Sequence, residues 1–503
     1  MKEIAFGITT VILSSFLFYL SFHCGKKENV RYALFFILGA GLLLRIFASS
    51  DQYLHTWDER CHALVAKHLS EQPLKPTLYK NPVMPFDKTN WLANNVWLEK
   101  GPVPLLSMAG AISLFGCNEF AIRIPSIILS LLAVYLTFLI ARLLFNSRIA
   151  LLAAFFHSIN GLVIELAAGR VSSDHVETFF IFFVELAVLG VVYYLVKKNT
   201  FWVAIAIGVS TGLAILCKWF PALIVFPVWI GGAFLAKNIS PKKIIPHLII
   251  SCFAMLLVIA PPFLYAHIYY PEEFSFVIKK FLFAYSETVE QHTGSAWYYI
   301  HYIRIIFGEA IYLPLVLSLV FLFKHKYDWK MVLLTVWWLL PVLLFSFAET
   351  KRYTYLMIAA PAFFIILSKY VWYFYERFKN ANHKWIYVVI ILALVLLPMR
   401  YSFERVKPLI KRDRCPVWSQ EIKKFDNNNS ITSKTVIFNV DRYIEAMFYC
   451  DNTVYRGIPE LKKIKELNEL GYSILINDDD GVDSTYRNSS YCKVTYLVSN
   501  SSK

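Results

Sequence analysis

Charge is what this sequence has least of. Asp, Glu, Lys and Arg make up 17% of the 503 residues, against 57% hydrophobic residues. No water-soluble domain needs that much apolar residue, and the long apolar runs exclude a simple soluble enzyme in favour of a polytopic membrane protein. Acidic residues are scarcer than basic ones, 35 against 50, for a net charge of +15. The excess sits mostly in short loops between apolar runs, where it sets topology, so nucleic acid is not an expected partner. The eight cysteines lack a paired CxxC spacing, which argues against a structural zinc site. Cys24, Cys217 and Cys252 lie in apolar runs and read as small core residues. Cys61 with Cys117, and two among Cys415, Cys450 and Cys492, are free to pair in an oxidising compartment. A cleavable signal is missing too: the first apolar run, Ile4 to Cys24, has no small-residue exit and reads as an uncleaved span. There is no internal repeat and no low-complexity segment.

What is present is a series of about twelve spans of roughly 16–25 residues, the length a bilayer core requires. They run approximately over 4–24, 32–49, 120–145, 149–168, 174–196, 201–217, 220–236, 246–267, 303–323, 331–348, 354–369 and 385–400. The connections alternate in character. One set is short and basic: "GKKENVR", "NSR", "VKKN", "AKNISPKK", "KHKYDWK" and "SKYVWYFYERFKNANHK". The other holds 50–119, "GRVSSD", the turn at Lys218–Trp219, 268–302 and "ETKRYTY". The positive-inside rule puts the first set in the cytoplasm and the second outside, both termini included. The expected fold class is therefore an α-helical polytopic membrane protein with a small C-terminal α/β extramembrane domain. Its parts would be an extra N-terminal span and basic loop over 1–31, a transmembrane catalytic domain over 32–400, and an external domain over 401–503. Within the second part, 50–119 is a long external loop whose 58–72 and 103–116 stretches have the spacing of interfacial helices. In the last part "KTVIFNV" and "YSILIND" read as buried strands, with "YIEAMFY" and "IPELKKIKELNELG" as helices.

Every polar cluster of interest falls on the predicted outer side. "LHTWDERCHALVAKHL" places Asp58 and Glu59 together at a membrane edge, where an ionised group must be in water or in a site. They are either the first turn of a helix, favoured by its dipole, or part of that site. "AAGRVSSDHVETFF" puts Arg170 and Asp174 at the mouth of another span, where Ser172 or Ser173 offers a plain capping explanation. "WLEKGPVPLL" places Lys100 before a bend, "LAILCKWFP" places Lys218 in a tight turn, and "ETKRYTYLMIAAP" places Lys351 and Arg352 at a further mouth. A single such cation is usually a snorkelling anchor; four basic sites and two acidic sites on one face suit transfer from a phosphorylated lipid. A phosphate leaving group needs Lys or Arg nearby, and an attacking hydroxyl needs a carboxylate as general base.

At these residues the chain resembles the GT-C glycosyltransferases, more narrowly the protein O-mannosyltransferase and aminoarabinose-transferase superfamily. "WDERCHALVAKHL" is similar to that family's Asp-Glu-x-x-Tyr-Ala-x-x-Ala-x-x-Leu segment, with His62 in place of the aromatic. "LEKGPVPLL" resembles its Lys-Pro-Pro-Leu segment with Gly101 for the first Pro, and "FGCNEFAIRIPS", carrying Arg123, its Phe-Gly…Arg-x-Pro-Ser entry into the next span. "GRVSSDHVETFFIFF" resembles the second acidic motif, and "LAILCKW" the Leu-x-x-Leu-x-Lys-Gly turn with Trp219 for Gly. "QHTGSAWYYIHYI" is similar to a His-x-Gly-x-x-Trp-Tyr-Tyr segment carrying His292 and Tyr299, and "KRYTYLMIAAP" to a Lys-Arg-Tyr-x-Tyr motif carrying Tyr355. The resemblance covers about 50–365.

It implies a polyprenyl-phosphate-sugar donor, an acceptor that is a protein, lipid or glycan, and inverting transfer on the outer face of a bacterial inner membrane. Carried over, Asp58, Glu59 and Asp174 are the catalytic carboxylates, Asp58 as general base. Lys100, Arg123, Arg170, Lys218, His292, Tyr299, Lys351, Arg352 and Tyr355 would bind substrate. Some family members hold a divalent metal ion near the lipid phosphate; here Asp58 and His62, at i and i+4, are the pair that would contribute. An oligosaccharide ligase or polymerase using a lipid-linked glycan is the neighbouring alternative. A transporter fits less well, because the ionisable residues gather at one face rather than near the midplane. A membrane-anchored binding protein would act through the α/β domain, which has no Gly-rich phosphate loop. "NDDDGVD" there lacks the closing Glu of a calcium loop and reads as a solvated acidic turn.

Overall fold

The computed structural model describes residues 2–500 apart from 88–89, 91, 237–240, 284–285, 289–290, 325–327, 380–381, 426–430, 433 and 479–480. Parts of the basic loops 236–243, 324–330 and 368–384, and of the acidic turn 477–483, lie outside the described residues. The chain divides into two compact units. One comprises Met1–Ser49, Lys100–Pro104 and Ser126–Lys411; the other comprises Ser50–Glu99, Leu105–Pro125 and Arg412–Lys503.

The first unit is a bundle of apolar helices. Across the described residues of the chain, nine helices are long and apolar enough to cross a membrane. Two further crossings are broken: Ser147–Ile159 bends by 57° into Gly161–Ala167, and Tyr298–Phe307 bends by 115° into Glu309–Leu322. Each break has a local cause. The Asn160 side chain accepts from the Val163 N–H at 3.1 Å and donates to the Ile306 carbonyl at 2.9 Å, capping a new helix start. Gly308 adopts a φ of +86°, a backbone conformation that side chains disfavour. The crossing expected over 220–236 is shorter than expected. It starts as a 3-10 turn over Phe220–Ile224, and the α-helix Val225–Leu235 has 11 residues. At about 1.5 Å per residue that falls well short of a bilayer core of roughly 30 Å. Close packing replaces length elsewhere: a Cβ on Gly208 would stand 2.1 Å from the Ser251 carbonyl oxygen, so Phe201–Lys218 and Pro241–Tyr269 approach backbone to backbone.

The second unit carries a four-stranded, wholly parallel sheet of order β2-β1-β3-β4. The strands are β1 (Thr435–Phe438), β2 (Thr453–Val454), β3 (Ser473–Asn477) and β4 (Lys493–Thr495). Parallel strands need crossovers, supplied by Tyr443–Tyr449, Leu461–Glu469 and Ser484–Arg487. Val436, Phe438, Ile464, Leu467, Ile474 and Ile476 form its core. The helix Asp58–Glu71 belongs to this unit. Its Lys67 ammonium donates to the Met447, Phe448 and Cys450 carbonyls at 2.9–3.0 Å, capping the C-terminus of Tyr443–Tyr449. Burial pushes the Glu445 carboxyl up, while the Arg60 guanidinium at 3.5 Å pulls it back. All eight cysteines are free thiols, so neither expected pairing is formed.

Candidate active site

Lys218 ends the helix Phe201–Lys218, where the chain turns sharply because Trp219 takes a φ of +65°. A bulky residue rarely adopts that conformation. Here its ring is anchored by stacking on Phe281 at 4.8 Å. The Lys218 ammonium pairs with the Glu177 carboxylate; the two side chains are 14% and 1% exposed. The same ammonium lies 4.9 Å from the centre of the Tyr355 ring. Lys100 and Arg352 both act electrostatically on this pair, and Lys100 reaches over the Phe281 ring at 6.0 Å. Glu177, Lys218, Thr350 and Tyr355 share one pocket with an apolar wall of Phe180, Trp219, Phe220, Phe281, Phe345 and Ile358. Three cations acting at one carboxylate leave an excess of positive charge beside apolar walls. That combination suits an anionic head on an apolar tail.

Lys100 owes its place to its neighbour. The Gly101 N–H donates to the Cys217 carbonyl at 3.4 Å, and a Cβ there would stand 1.9 Å from the Leu216 carbonyl oxygen. Only glycine lets the two backbones pass so closely. Gly101→Ala should therefore destabilise the protein by about 1–3 kcal/mol. A thermal melt of the detergent-solubilised protein measures this; an unchanged midpoint would mean that the two segments separate at no cost.

Asp174 opens the helix Asp174–Val196 and is fully buried. Ser173 and Asp174 both adopt positive φ, +74° and +26°, conformations that cost about 1–3 kcal/mol each and gather at functional sites. The capping explanation for Ser173 does not hold, since it makes no side-chain cap. Its hydroxyl accepts instead from Thr354 at 3.4 Å, and Asp174 itself accepts from the Val176 N–H at 3.1 Å. Arg170 follows Gly169, whose φ is +71°, and is half-buried. Lys351 is buried; its backbone N–H donates to the His292 carbonyl at 2.9 Å, and its ammonium turns to the Ala348 carbonyl. Tyr299 is buried, with its ring 6.0 Å from that of Phe345 in the pocket wall.

The remaining expected site residues belong to the second unit. Asp58 and Glu59 are successive helical residues, so their side chains point about 100° apart around the axis, and their environments differ. Asp58 is half-buried at the first position of its helix. Glu59 is fully buried and held by Arg123, with Nε–Oε1 at 2.8 Å and Nη2–Oε2 at 3.1 Å. It also accepts from the His55 N–H at 2.7 Å. Arg123 spends further donors on the Asp51 and Tyr53 carbonyls. Asp51 in turn meets His55 at 3.1 Å and Arg414 at 2.9 Å. Glu59 and Arg123, expected as a catalytic carboxylate and a substrate cation, thus neutralise each other in a buried structural pair. His62, one turn from Asp58, is buried with its ring edge-on to Trp97 at 6.1 Å. Among the described residues no three His, Cys, Asp or Glu groups converge as metal ligands would. Among the described residues, therefore, no side-chain set of that kind stands ready for a divalent ion.

Glu177 is the residue that sequence reasoning passed over. Its signal was the spacing in "DHVETFF": Asp174 and Glu177 stand at i and i+3, hence on one face of the helix.

Comparison with known proteins agrees with this architecture. Residues 99–265 match the family described as dolichyl-phosphate-mannose-protein mannosyltransferase. An undecaprenyl phosphate-alpha-4-amino-4-deoxy-L-arabinose arabinosyl transferase of Pseudomonas fluorescens is 26% identical over 284 residues, covering 53% of this chain and 48% of that protein. The chain thus spans about half the length of the arabinosyl transferases it first matches. ArnT from Cupriavidus metallidurans, solved bound to undecaprenyl phosphate, superposes with a TM-score of 0.63 at 14% identity, over 86% of this chain and 90% of that one. The Archaeoglobus fulgidus oligosaccharyltransferase superposes with 0.57 at 13% identity, over 87% and 66%. At such identities the structural likeness speaks for the fold alone. The chain thus has the fold of these membrane proteins, and over 99–265 it is similar in sequence to the mannosyltransferase family.

Proposed function

We propose that this protein is a glycosyltransferase that moves a sugar from a polyprenyl-phosphate donor to an acceptor on the outer face of the membrane. The acceptor hydroxyl attacks the anomeric carbon, the bond from that carbon to the phosphate oxygen breaks, and polyprenyl phosphate leaves with the electron pair. Inversion follows from this single displacement. Lys218, Lys100 and Arg352 would hold the phosphate and stabilise its growing charge. The aromatic wall would take the first part of the lipid. Asp58 has the role of general base by its motif, receiving the acceptor's proton, and Asp174 is the second acidic group. Glu59 and Arg123 act as positioning residues for the helix that carries Asp58. The observation that carries this reading is the buried Glu177–Lys218 pair, with Lys100 and Arg352 acting on it, in an aromatic-walled pocket. The activity of the matched arabinosyl transferases points the same way. The test is to incubate purified protein with a panel of polyprenyl-phosphate sugars and follow release of the lipid phosphate; no release from any of them contradicts the proposal.

The proposed orientation has its own check. The exposed Lys465 lies in the sheet unit, and the exposed Lys198 in a basic loop. In a protein whose native cysteines are replaced by Ser, an impermeant maleimide should label Lys465→Cys in intact cells and Lys198→Cys only after permeabilisation. The reverse pattern would turn the protein over in the membrane.

A further inference from the structure

The sheet unit has a pocket of its own, and none of its lining residues is among those that the transfer chemistry uses. It opens at the carboxyl ends of β1 and β2, the end at which open parallel sheets bind their ligands. The crevice between β1 and β3 is closed by the chain itself. Asn477 donates to the Val498 carbonyl at 2.9 Å, and Asn500 to the Asn439 carbonyl at 2.8 Å. The opening is left on the β2 side, where Tyr455 and Arg456 follow the strand directly. It has a volume of about 440 Å³, within the range of small-molecule sites.

Its lining is specific in chemistry. Tyr79, Tyr455 and Phe438 form a column of nearly parallel rings, with centres 5.2 and 5.5 Å apart and planes within 14° and 17°. Tyr443 adds a fourth aromatic ring. The Tyr455 hydroxyl accepts from the Val83 and Met84 N–H groups at 2.9 and 3.2 Å, which ties that segment to the end of β2. Asn90, Asn95 and Arg456 supply polar groups to the same pocket. Arg456 pairs with Asp441 at 3.2 Å across an exposed rim, so donors and an acceptor stand side by side there. Flat apolar rings beside amides, with no charge buried among them, favour a ligand whose faces are C–H and whose edges are hydroxyl. A sugar ring is such a ligand. A lipid tail would find the amides unmatched, and a free anion would find one guanidinium that is already paired.

We infer that this pocket is a carbohydrate-binding site that holds the glycan portion of the acceptor. The inference rests on the proposed transferase function for the word acceptor, but the pocket's affinity for sugar can be measured without it. Full-length protein in detergent is applied to an array of immobilised oligosaccharides, and competition with the best soluble glycan on the array gives affinities. Gly457 lines the pocket, is exposed, and has open space where a Cβ would stand. Gly457→Trp should fill the pocket and weaken glycan binding about tenfold or more, whereas Gly457→Ala should bind as wild type. Asn95→Ala, which leaves that residue's backbone bond to Leu78 intact, should lower affinity about tenfold through lost hydroxyl contacts. Polyprenyl phosphate binding should be the same in all three variants. Wild type that binds no glycan, or Gly457→Trp and Asn95→Ala that bind as wild type, overturns the inference. Glycan binding without any lipid-phosphate binding would instead remove the transferase reading and leave the sugar site standing.

Discussion

Lys218→Met should cost the protein both its stability and its donor. The ammonium is the partner of Glu177, and both groups are withdrawn from water. Removing one member of such a pair strands the other, at a cost of about 3–5 kcal/mol. Lys218→Met combined with Glu177→Gln removes the stranded charge and should recover most of the lost stability. It should not recover donor binding. A charge-assisted contact to phosphate is worth roughly 1.5–3 kcal/mol, so affinity for polyprenyl phosphate should fall about tenfold to a hundredfold or more. Thermal melts and lipid binding on the same two preparations separate the effects. Recovery of both in the double variant would make the pair a packing device with no part in phosphate recognition.

Asp58→Asn should fold normally and bind donor normally, yet turn over about 10²–10⁴-fold more slowly, the usual cost of losing a general base. The adjacent carboxylate gives the contrast. Glu59 sits in the buried bond set with Arg123 and His55, so Glu59→Gln should lower the melting temperature first and activity only as far as folded protein is lost. If Asp58→Asn keeps near-normal turnover, Asp58 is a helix-start residue and the proton goes elsewhere.

These two neighbours also show where sequence reasoning stopped. That Asp58 and Glu59 stand at the start of a helix was legible from the pattern, because helical spacing is a local property. That Glu59 would be claimed by Arg123, 64 residues away, was not, since partner choice between buried charges is set by tertiary packing. Glu177 was missed for the same reason: its partner is 41 residues distant, and inside "VETFFIFF" it looks like one polar residue in an apolar helix. The strands "TVIF" and "SILIN" were legible as apolar runs, but β2 and β4, with two and three residues, are too short for any periodicity. The 220–236 crossing was overestimated because hydropathy counts apolar residues without registering that the first turn winds as a 3-10 helix.

The pocket around Lys218 is the centre of the account, and the affinity of well-folded protein for polyprenyl phosphate tests it most directly. Wild type should bind the lipid saturably, with weaker binding at high salt as the cations are screened. The Lys218→Met/Glu177→Gln protein, shown by its melt to be folded, should bind it at least about tenfold more weakly. Equal affinity in the two proteins would contradict the assignment of this pocket to the donor phosphate.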